Sequence, residues 1–594
     1  MIAKIKGFAK FSNKGAIILI AFIIMLVYAN SLVNKFVWDD HTVIVDNNFV
    51  KSLRNFPSIF TSAYLTKSSD LDYLGERNIG SGELSYRPVV TATYFFDYAI
   101  WKLNPLGYHL DSLLIHILNT VLLYALLNLI VKDGGIALLA SLLFALNPVN
   151  TEAVDVISFR EDLLAALFVI LSFIFFVKSQ EKNSGKGKVF YLLSIATFLL
   201  ALFSKEMAVT LPLILILFDY FFISRQKVKN ILYRFKYYLG FIAAVLLYFG
   251  VSFFIIRNIN KPIITFAMNN FYTRILTMFK TMIVYIQWMV FPVNIHPTLP
   301  DDPALISNSL FDPVVLFSIV AILSLLVIAI KLRRKNTLFS FSVFWVFIAL
   351  IPVSNIFFPL TNYMAARYLY LPGIGFSFLI AAFLIKLPSF KIDFIPRTVL
   401  QKVSRNSIAI LLIFYSMFTI IRNLGWKNDV VLWSEMIENY PNNALAHSGL
   451  GSAFRRQGSV DKAIGEYKIA LNLDPNRAKD HNALGICYYE KKMFDEAIEE
   501  YKKALKMDPY FVDAYANLGS SLGNKGLYQE AIRIFEKAIQ LDGQSINAYN
   551  GLGVTHAKMK RYDEARKIWG KALAINPDNK NIKDNLNKIS QLGY

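Results

Sequence analysis

Just after its first apolar run the chain sets two carboxylates side by side, in Trp38-Asp39-Asp40-His41. Adjacent acids repel and resist being ionised together, so such a pair can hold a divalent cation or supply a base of raised pKa. Taken alone, an Asp-Asp pair reads as readily as the solvated start of a loop. This one has company. Tyr86-Arg87-Pro88 precedes a second apolar stretch, His109 and His116 share a face within that stretch, and Asn150-Thr151-Glu152 leads to Arg160-Glu161-Asp162. Lys205-Glu206 and Arg367 sit at or inside further apolar segments. Ionisable groups at such depth are costly unless they pair or line a cavity. Each is therefore a site candidate or one half of an interhelical salt bridge. As a set they offer cations for a phosphate and acids for a hydroxyl, which suits group transfer at a membrane surface.

Other chemistries find no footing. The sequence contains no Walker A loop, no Rossmann fingerprint, no His-Glu-x-x-His and no Gly-x-Ser-x-Gly, which argues against an ATPase, dehydrogenase, zincin or hydrolase of those types. A single cysteine, Cys487, excludes intrachain disulfides and Cys-rich zinc sites and reads as a small buried repeat residue. The formal charge of +20 raises the question of nucleic acid. A nucleic-acid face needs its Lys and Arg clustered on a soluble module. From residue 443 onward there are 23 basic and 18 acidic residues, interspersed, so no nucleic-acid partner is expected.

The elements that must position these residues are membrane helices. With 55% hydrophobic and 18% charged residues over 594 positions, most of the apolar excess must face lipid. Residues 16–33 form an apolar run behind Lys4, Lys6, Lys10 and Lys14, which predicts a first transmembrane helix with its N-terminus in the cytoplasm. A cleaved signal peptide is the competing reading, weakened by the length of the run and the lack of a small-x-small site. Further segments centre near residues 120, 142, 170, 196, 215, 248, 322, 345, 379 and 414, about eleven in all. An odd count puts the C-terminal region outside. The segments then assigned to the cytoplasm, residues 1–15, 132–135, 178–188, 224–236, 331–336 and 386–405, hold 23 Lys and Arg against three acids. This requires residues 275–291, apolar enough to span, to be interfacial or re-entrant. Residues 34–109, 150–160 and 257–313 then face outside.

After Trp433 a 34-residue period takes over. Leu450-Gly451, Leu484-Gly485, Leu518-Gly519 and Leu552-Gly553 recur with it, as do Ala463, Ala497, Ala531 and Ala565, and the aromatics Tyr467, Tyr501, Phe535 and Trp569. Pro441, Pro475, Pro509 and Pro577 hold the same register, with Gly543 where one proline is missing. This is the tetratricopeptide (TPR) pattern: small residues let paired helices approach, aromatics fill the gaps, and proline ends the second helix. The expected fold is all-α: a polytopic membrane helical bundle over 1–425, with a first outer loop of about 34–109, then a TPR α-solenoid over 426–594. The solenoid divides into a half repeat at 426–442, four repeats over 443–578 and a capping helix at 579–594. Its groove is expected to hold an extended peptide, or else the array is a rigid spacer or dimerisation element.

The strings WDDHTVIVDNNFV (38–50), YRPVVTATYFFDYAIWKLNPLGYHL (86–110), FALNPVNTEAVDVISFREDLLAALF (144–168), SKEMAVTLP (204–212) and ARYLYLPGIGF (366–376), followed by TPRs, resemble the transmembrane and TPR-repeat-containing O-mannosyltransferases and their prokaryotic relatives. The resemblance implies a GT-C glycosyltransferase fold and a polyprenyl-phosphate sugar as donor. It implies a Ser or Thr hydroxyl of an exported protein as acceptor, and chemistry on the outer face. It makes Asp39 and Asp40 the catalytic acids, orienting or deprotonating the acceptor, with a divalent cation at that pair as the alternative role. It suggests Arg87, Arg160, Lys205 and Arg367 for the donor phosphate, a bidentate task suited to Arg. Tyr86, His109, Glu152, Asp162 and Glu206 are supporting residues. The chain departs from the family where histidines commonly stand at Asn147 and Asn150, and where an acid commonly precedes Arg367, here Ala366.

The function expected is protein glycosylation by a multi-pass integral membrane enzyme, of the plasma membrane in a prokaryote, with lipid and an exported acceptor as its partners. A ligase or polymerase using lipid-linked oligosaccharide would share these groups and differ in its donor. A TPR scaffold for envelope assembly would leave Asp39, Asp40, Arg160 and Lys205 without a shared purpose.

Overall fold

The computed structural model describes residues 12–61, 86–181, 185–256, 270–295, 297, 306–356, 360, 362, 364–389, 395–577 and 579–591. Among these, all regular structure is helical. The chain forms two compact units, and the boundary after its last apolar helix falls between Asn428 and Asp429.

In the first unit each expected apolar segment is a helix: Asn13–Val27, Pro105–Val131, Gly134–Leu146, Arg160–Ser179, Gly187–Leu202, Leu211–Phe218, Lys236–Ile256, Pro313–Leu332, Thr337–Leu350, Tyr370–Lys386 and Arg397–Gly425. Among the described residues, seven helices are long and apolar enough to cross a membrane, or eight when the bent pair Gly134–Leu146 and Pro148–Asp155 is taken as one span. Asn13–Val27, Gly187–Leu202 and Thr337–Val353 are apolar but shorter. At 1.5 Å per residue such helices fall short of a hydrocarbon layer of about 30 Å. The count of about eleven is therefore not reached by length alone. The segment expected to be interfacial or re-entrant is the helix Phe271–Val290, which is not among the spanning helices. Leu276, Met278, Tyr285, Trp288 and Met289 form its buried face.

Packing explains where the chain bends and where it stays straight. Pro148 lacks the N–H that would continue the helix ending at Leu146, and the Asn147 carboxamide accepts the Val149 N–H at 3.2 Å, so the pair bends by 53°. Elsewhere close approach is bought with glycine: a Cβ on Gly375 would stand 2.8 Å from the Trp345 ring, which stacks on Phe173 at 5.8 Å. The turns that follow these helices carry the polar residues.

The second unit pairs Ala444–Arg456 with Val460–Leu473, Ala478–Glu490 with Phe494–Met507, Val512–Lys525 with Tyr528–Leu541, and Ile546–Lys558 with Tyr562–Ile575. Asp429–Asn439 precedes these pairs and Lys580–Gln591 follows them. Ala463, Ala497, Ala531 and Ala565 are fully buried beneath Tyr467, Tyr501, Phe535 and Trp569. A Cβ on Gly553 would lie 2.4 Å from the Trp569 indole, the close approach that fixes small residues at this position. Each second helix stops two residues before Pro475, Pro509, Gly543 or Pro577.

Candidate active site

The loop after the first helix turns sharply. Trp38 adopts a positive φ of 53° and its ring stands edge-on to Phe159 at 6.0 Å. Asp39 and Asp40 follow, and the chain enters a wide helical turn, His41–Val45, closed by Asp46 N–H donating to the His41 carbonyl at 2.7 Å. The turn separates the two acids. Asp39 is half-buried and lines a cleft of about 630 Å³, open solvent at its mouth included. Asp40 is fully buried, and its carboxylate accepts the backbone N–H groups of Val37 at 3.1 Å and Ser158 at 2.7 Å. Burial pushes the Asp40 carboxyl up to about 6, against the lowering by its backbone donors.

Three buried cations join Asp39 in the cleft wall: Arg87, Lys205 and Arg367. Arg87, at the entry to the helix Pro88–Trp101, pairs with Glu161 and forks onto Glu206, Nη2 at 2.6 Å and Nε at 3.3 Å. Lys205 lies 2.7 Å from Asp162 and 3.0 Å from Glu161, so Glu161 bridges the two cations. Arg367 lies in the turn Ala366–Leu369 before the helix Tyr370–Lys386, its guanidinium 3.9 Å from the centre of the Phe159 ring. Its Nη1 pairs with Glu152 at 2.5 Å, while its Nε has no acceptor among the described residues. The second oxygen of Glu152 accepts the backbone N–H groups of Ala366 at 2.9 Å and Arg367 at 3.2 Å. The carboxylate missing beside Arg367 in sequence is thus supplied from another helix turn. Val43, Phe159, Met207, Val353 and Leu360 complete an apolar wall.

Arg160, grouped with these cations by sequence, is placed elsewhere. It is buried against Asp97, donates to the Tyr108 carbonyl at 2.9 Å and Ser112 Oγ at 3.2 Å, and sits 5.6 Å from the centre of the Tyr94 ring. It does not line the cleft, and the contacts it makes are those of an interhelical pair. His109 is buried outside the cleft, and Tyr86 donates to the Phe60 carbonyl at 3.1 Å. Asn147 and Asn150 hold the bent pair, donating to the carbonyls of Met289 at 3.2 Å and Phe144 at 2.6 Å.

Glu161 stands in the sequence within Arg160-Glu161-Asp162 with no role of its own assigned, and Asp97 is not singled out there at all. A carboxylate in an otherwise apolar helix is the only available signal for either. Among the described residues no group of three or more His, Cys, Asp or Glu could hold a metal ion. Asp40 turns both oxygens to backbone donors and is not among the residues that line the cleft.

Comparison with known proteins finds the repeats and a set of sequence relatives. Family models described as TPR repeat match residues 451–492 and 487–526, and one described as tetratricopeptide repeat matches 525–589. Protein O-mannosyl-transferase F38B6.6 of Caenorhabditis elegans is 30% identical over 75% of this chain and 61% of its own length. The human protein O-mannosyl-transferases TMTC3 and TMTC2 are 24% and 26% identical, covering 76% and 75% of this chain and 50% and 61% of theirs. The chain thus spans between half and about three fifths of the length of these curated relatives. Over about three quarters of its length the chain is similar to proteins named protein O-mannosyl-transferase, and its C-terminal part matches the TPR models.

Proposed function

We propose that this chain is a membrane glycosyltransferase that moves a sugar from a polyprenyl-phosphate donor to Ser or Thr hydroxyls of exported proteins on the non-cytoplasmic face. The observation that carries this reading is the cleft in which half-buried Asp39 stands with Arg87, Lys205 and Arg367. The O-mannosyl-transferase names of the relatives support a sugar donor and a protein acceptor. The excess of Lys and Arg in the segments assigned to the cytoplasm supports an extracytoplasmic cleft and TPR array.

In the proposed reaction the acceptor Oγ attacks the anomeric carbon of the sugar. The new C–O bond forms as the bond to the phosphate oxygen breaks, and the Oγ proton passes to the Asp39 carboxylate. The leaving group is the polyprenyl phosphate. Its growing charge is met by the Arg367 guanidinium, whose Nε has no acceptor among the described residues, and by Arg87 and Lys205, which share Glu161. Low dielectric in the buried wall strengthens this stabilisation. The TPR array binds the acceptor polypeptide.

The test is sugar transfer by the purified chain from radiolabelled polyprenyl-phosphate sugars to a Ser/Thr-rich peptide, with and without added divalent cations. Transfer that Asp39→Asn abolishes and Asp40→Asn only weakens supports the reading. Transfer only of whole glycans from lipid-linked oligosaccharide, or none from any donor, overturns it.

A further inference from the structure

The buried wall of the cleft holds more anions than cations. Among the described residues, Arg87, Lys205 and Arg367 stand with five carboxylates, Asp39, Glu152, Glu161, Asp162 and Glu206. Each of the three cations already has a carboxylate on it, and with all five ionised the cleft's own side chains carry a net negative charge. A lipid phosphodiester adds one more. In a water-poor wall that accumulation is unfavourable, because like charges repel most strongly where the dielectric is low. For a phosphate to reach these cations, one carboxylate has to leave them and give up its charge.

Glu161 is the one of the five placed for that exchange. Glu152 holds the backbone N–H groups of Ala366 and Arg367 as well as the Arg367 guanidinium, so moving it would undo the turn that presents Arg367. Asp162 does not line the cleft, Asp39 is the proposed base, and the Glu206 side chain, 34% exposed, stays ionised in contact with water. Glu161 lines the cleft with 7% of its side chain exposed. Its Oε2 lies on Arg87 Nη1 and its Oε1 is 3.0 Å from Lys205 Nζ. One anion spanning an Arg and a Lys with two oxygens is the arrangement that the non-bridging oxygens of a phosphate take. The other charges facing Glu161 are Asp162 on its own helix, Glu206 across Arg87, and Arg367, which carries Glu152. Once Arg87 and Lys205 turn to a phosphate, Glu161 becomes a buried carboxylate beside an anion, a charge too costly to keep.

We propose that Glu161 holds the position between Arg87 and Lys205 that the donor phosphate takes, and that the phosphodiester displaces it with uptake of one proton from solvent. The ion pairs of Glu161 with the two cations break, those of the phosphate with the same cations form, and the proton goes to the Glu161 carboxyl. The neutral acid then donates its O–H to a phosphate oxygen. When the lipid product leaves, the proton returns to solvent and Glu161 to its cations. The charge of the cleft is thus the same before and after the donor binds. The identity of the donor rests on the function proposed above, whereas the exchange itself needs only a lipid phosphodiester.

The test is isothermal titration calorimetry of the full-length chain in detergent with farnesyl methyl phosphate, a phosphodiester that carries no sugar and one fixed negative charge. Titration in two buffers of different ionisation enthalpy reads the protons taken up per molecule bound. At about pH 8 the wild-type chain should take up about one proton, and its affinity should fall about tenfold for each unit of rising pH. Glu161→Gln should bind about tenfold or more tightly than wild type at that pH, with no proton uptake and an affinity that is flat in pH. Glu161→Asp, which keeps the charge, should keep the uptake. Wild-type binding without uptake overturns the exchange on the unaltered protein. Uptake retained in Glu161→Gln assigns the proton to another group and overturns it as well, as does a probe that does not bind. Sugar transfer is scored separately. Proton-linked binding without transfer from any donor sinks only the enzymatic reading, and transfer by a chain whose probe binding is proton-free sinks only the exchange.

Discussion

The Asp40 carboxylate accepts the backbone N–H of Ser158 at 2.7 Å, across 118 residues of chain. With its other oxygen on Val37 N–H, it clamps the loop that presents Asp39 to the turn that presents Phe159. On this geometry we propose Asp40 as a positioning residue. Asp40→Asn replaces one acceptor oxygen with an NH2 group and leaves a buried N–H facing a donor, at a cost of about 1–3 kcal/mol. The pH dependence has a definite sign. Burial raises the folded-state pKa from 3.8 to about 6, so the folded chain holds this proton more tightly than the unfolded chain does. The stability Asp40 contributes therefore grows as pH falls through 6 and is reduced above it. Thermal unfolding in detergent should show the gap between wild type and Asp40→Asn widening between about pH 7 and pH 5; a gap that narrows would mean that the backbone donors, and not burial, set the Asp40 pKa.

Asp39 should behave in the opposite manner. It lines the cleft and is half-buried, so Asp39→Asn is expected to leave the unfolding temperature near that of wild type. Transfer should fall by about a hundredfold or more, the usual scale for losing a positioned general base. Paired kinetics and unfolding curves on the two single variants separate the roles, and equal activity losses with equal destabilisation would refute the division.

How far the site could be read from sequence depends on what kind of contact each residue makes. The TPR register was legible because it repeats: the burial of Ala463 under Tyr467 recurs at Ala497 with Tyr501. Apolar segments were legible for a similar reason, since lipid demands continuous hydropathy, whereas the shortness of Gly187–Leu202 and Thr337–Val353 depends on where turns close. The cations were visible as costly residues, but their partners were not. Glu152 reaches Arg367 over 215 residues, and no local pattern encodes such a pairing. Arg160 looked like its neighbours because burial cost is the same whether a cation faces a ligand or a carboxylate.

Arg367 invites a kinetic test of its own. Its guanidinium stacks on Phe159 and pairs with Glu152 through Nη1, and Nε has no acceptor among the described residues. Lysine keeps the charge but cannot stack or fork. Arg367→Lys should raise the KM for the lipid-phosphate donor about tenfold while the KM for the peptide acceptor stays within twofold. An effect confined to the acceptor would place the phosphate elsewhere.

Arg160 gives the complementary prediction. Buried against Asp97 and away from the cleft, it should matter for stability and not for the donor. Arg160→Ala leaves the Asp97 carboxylate buried and unpaired, and should destabilise the chain by about 3–5 kcal/mol. Removing both charges, in Arg160→Gln/Asp97→Asn, should recover a large part of that loss, because the main penalty is the stranded charge and not the missing attraction. The double variant should also keep the wild-type KM for the donor. Unfolding curves and donor titrations on the single and double variants decide the matter: a double variant of restored stability whose donor KM has nevertheless risen tenfold would return Arg160 to the phosphate site.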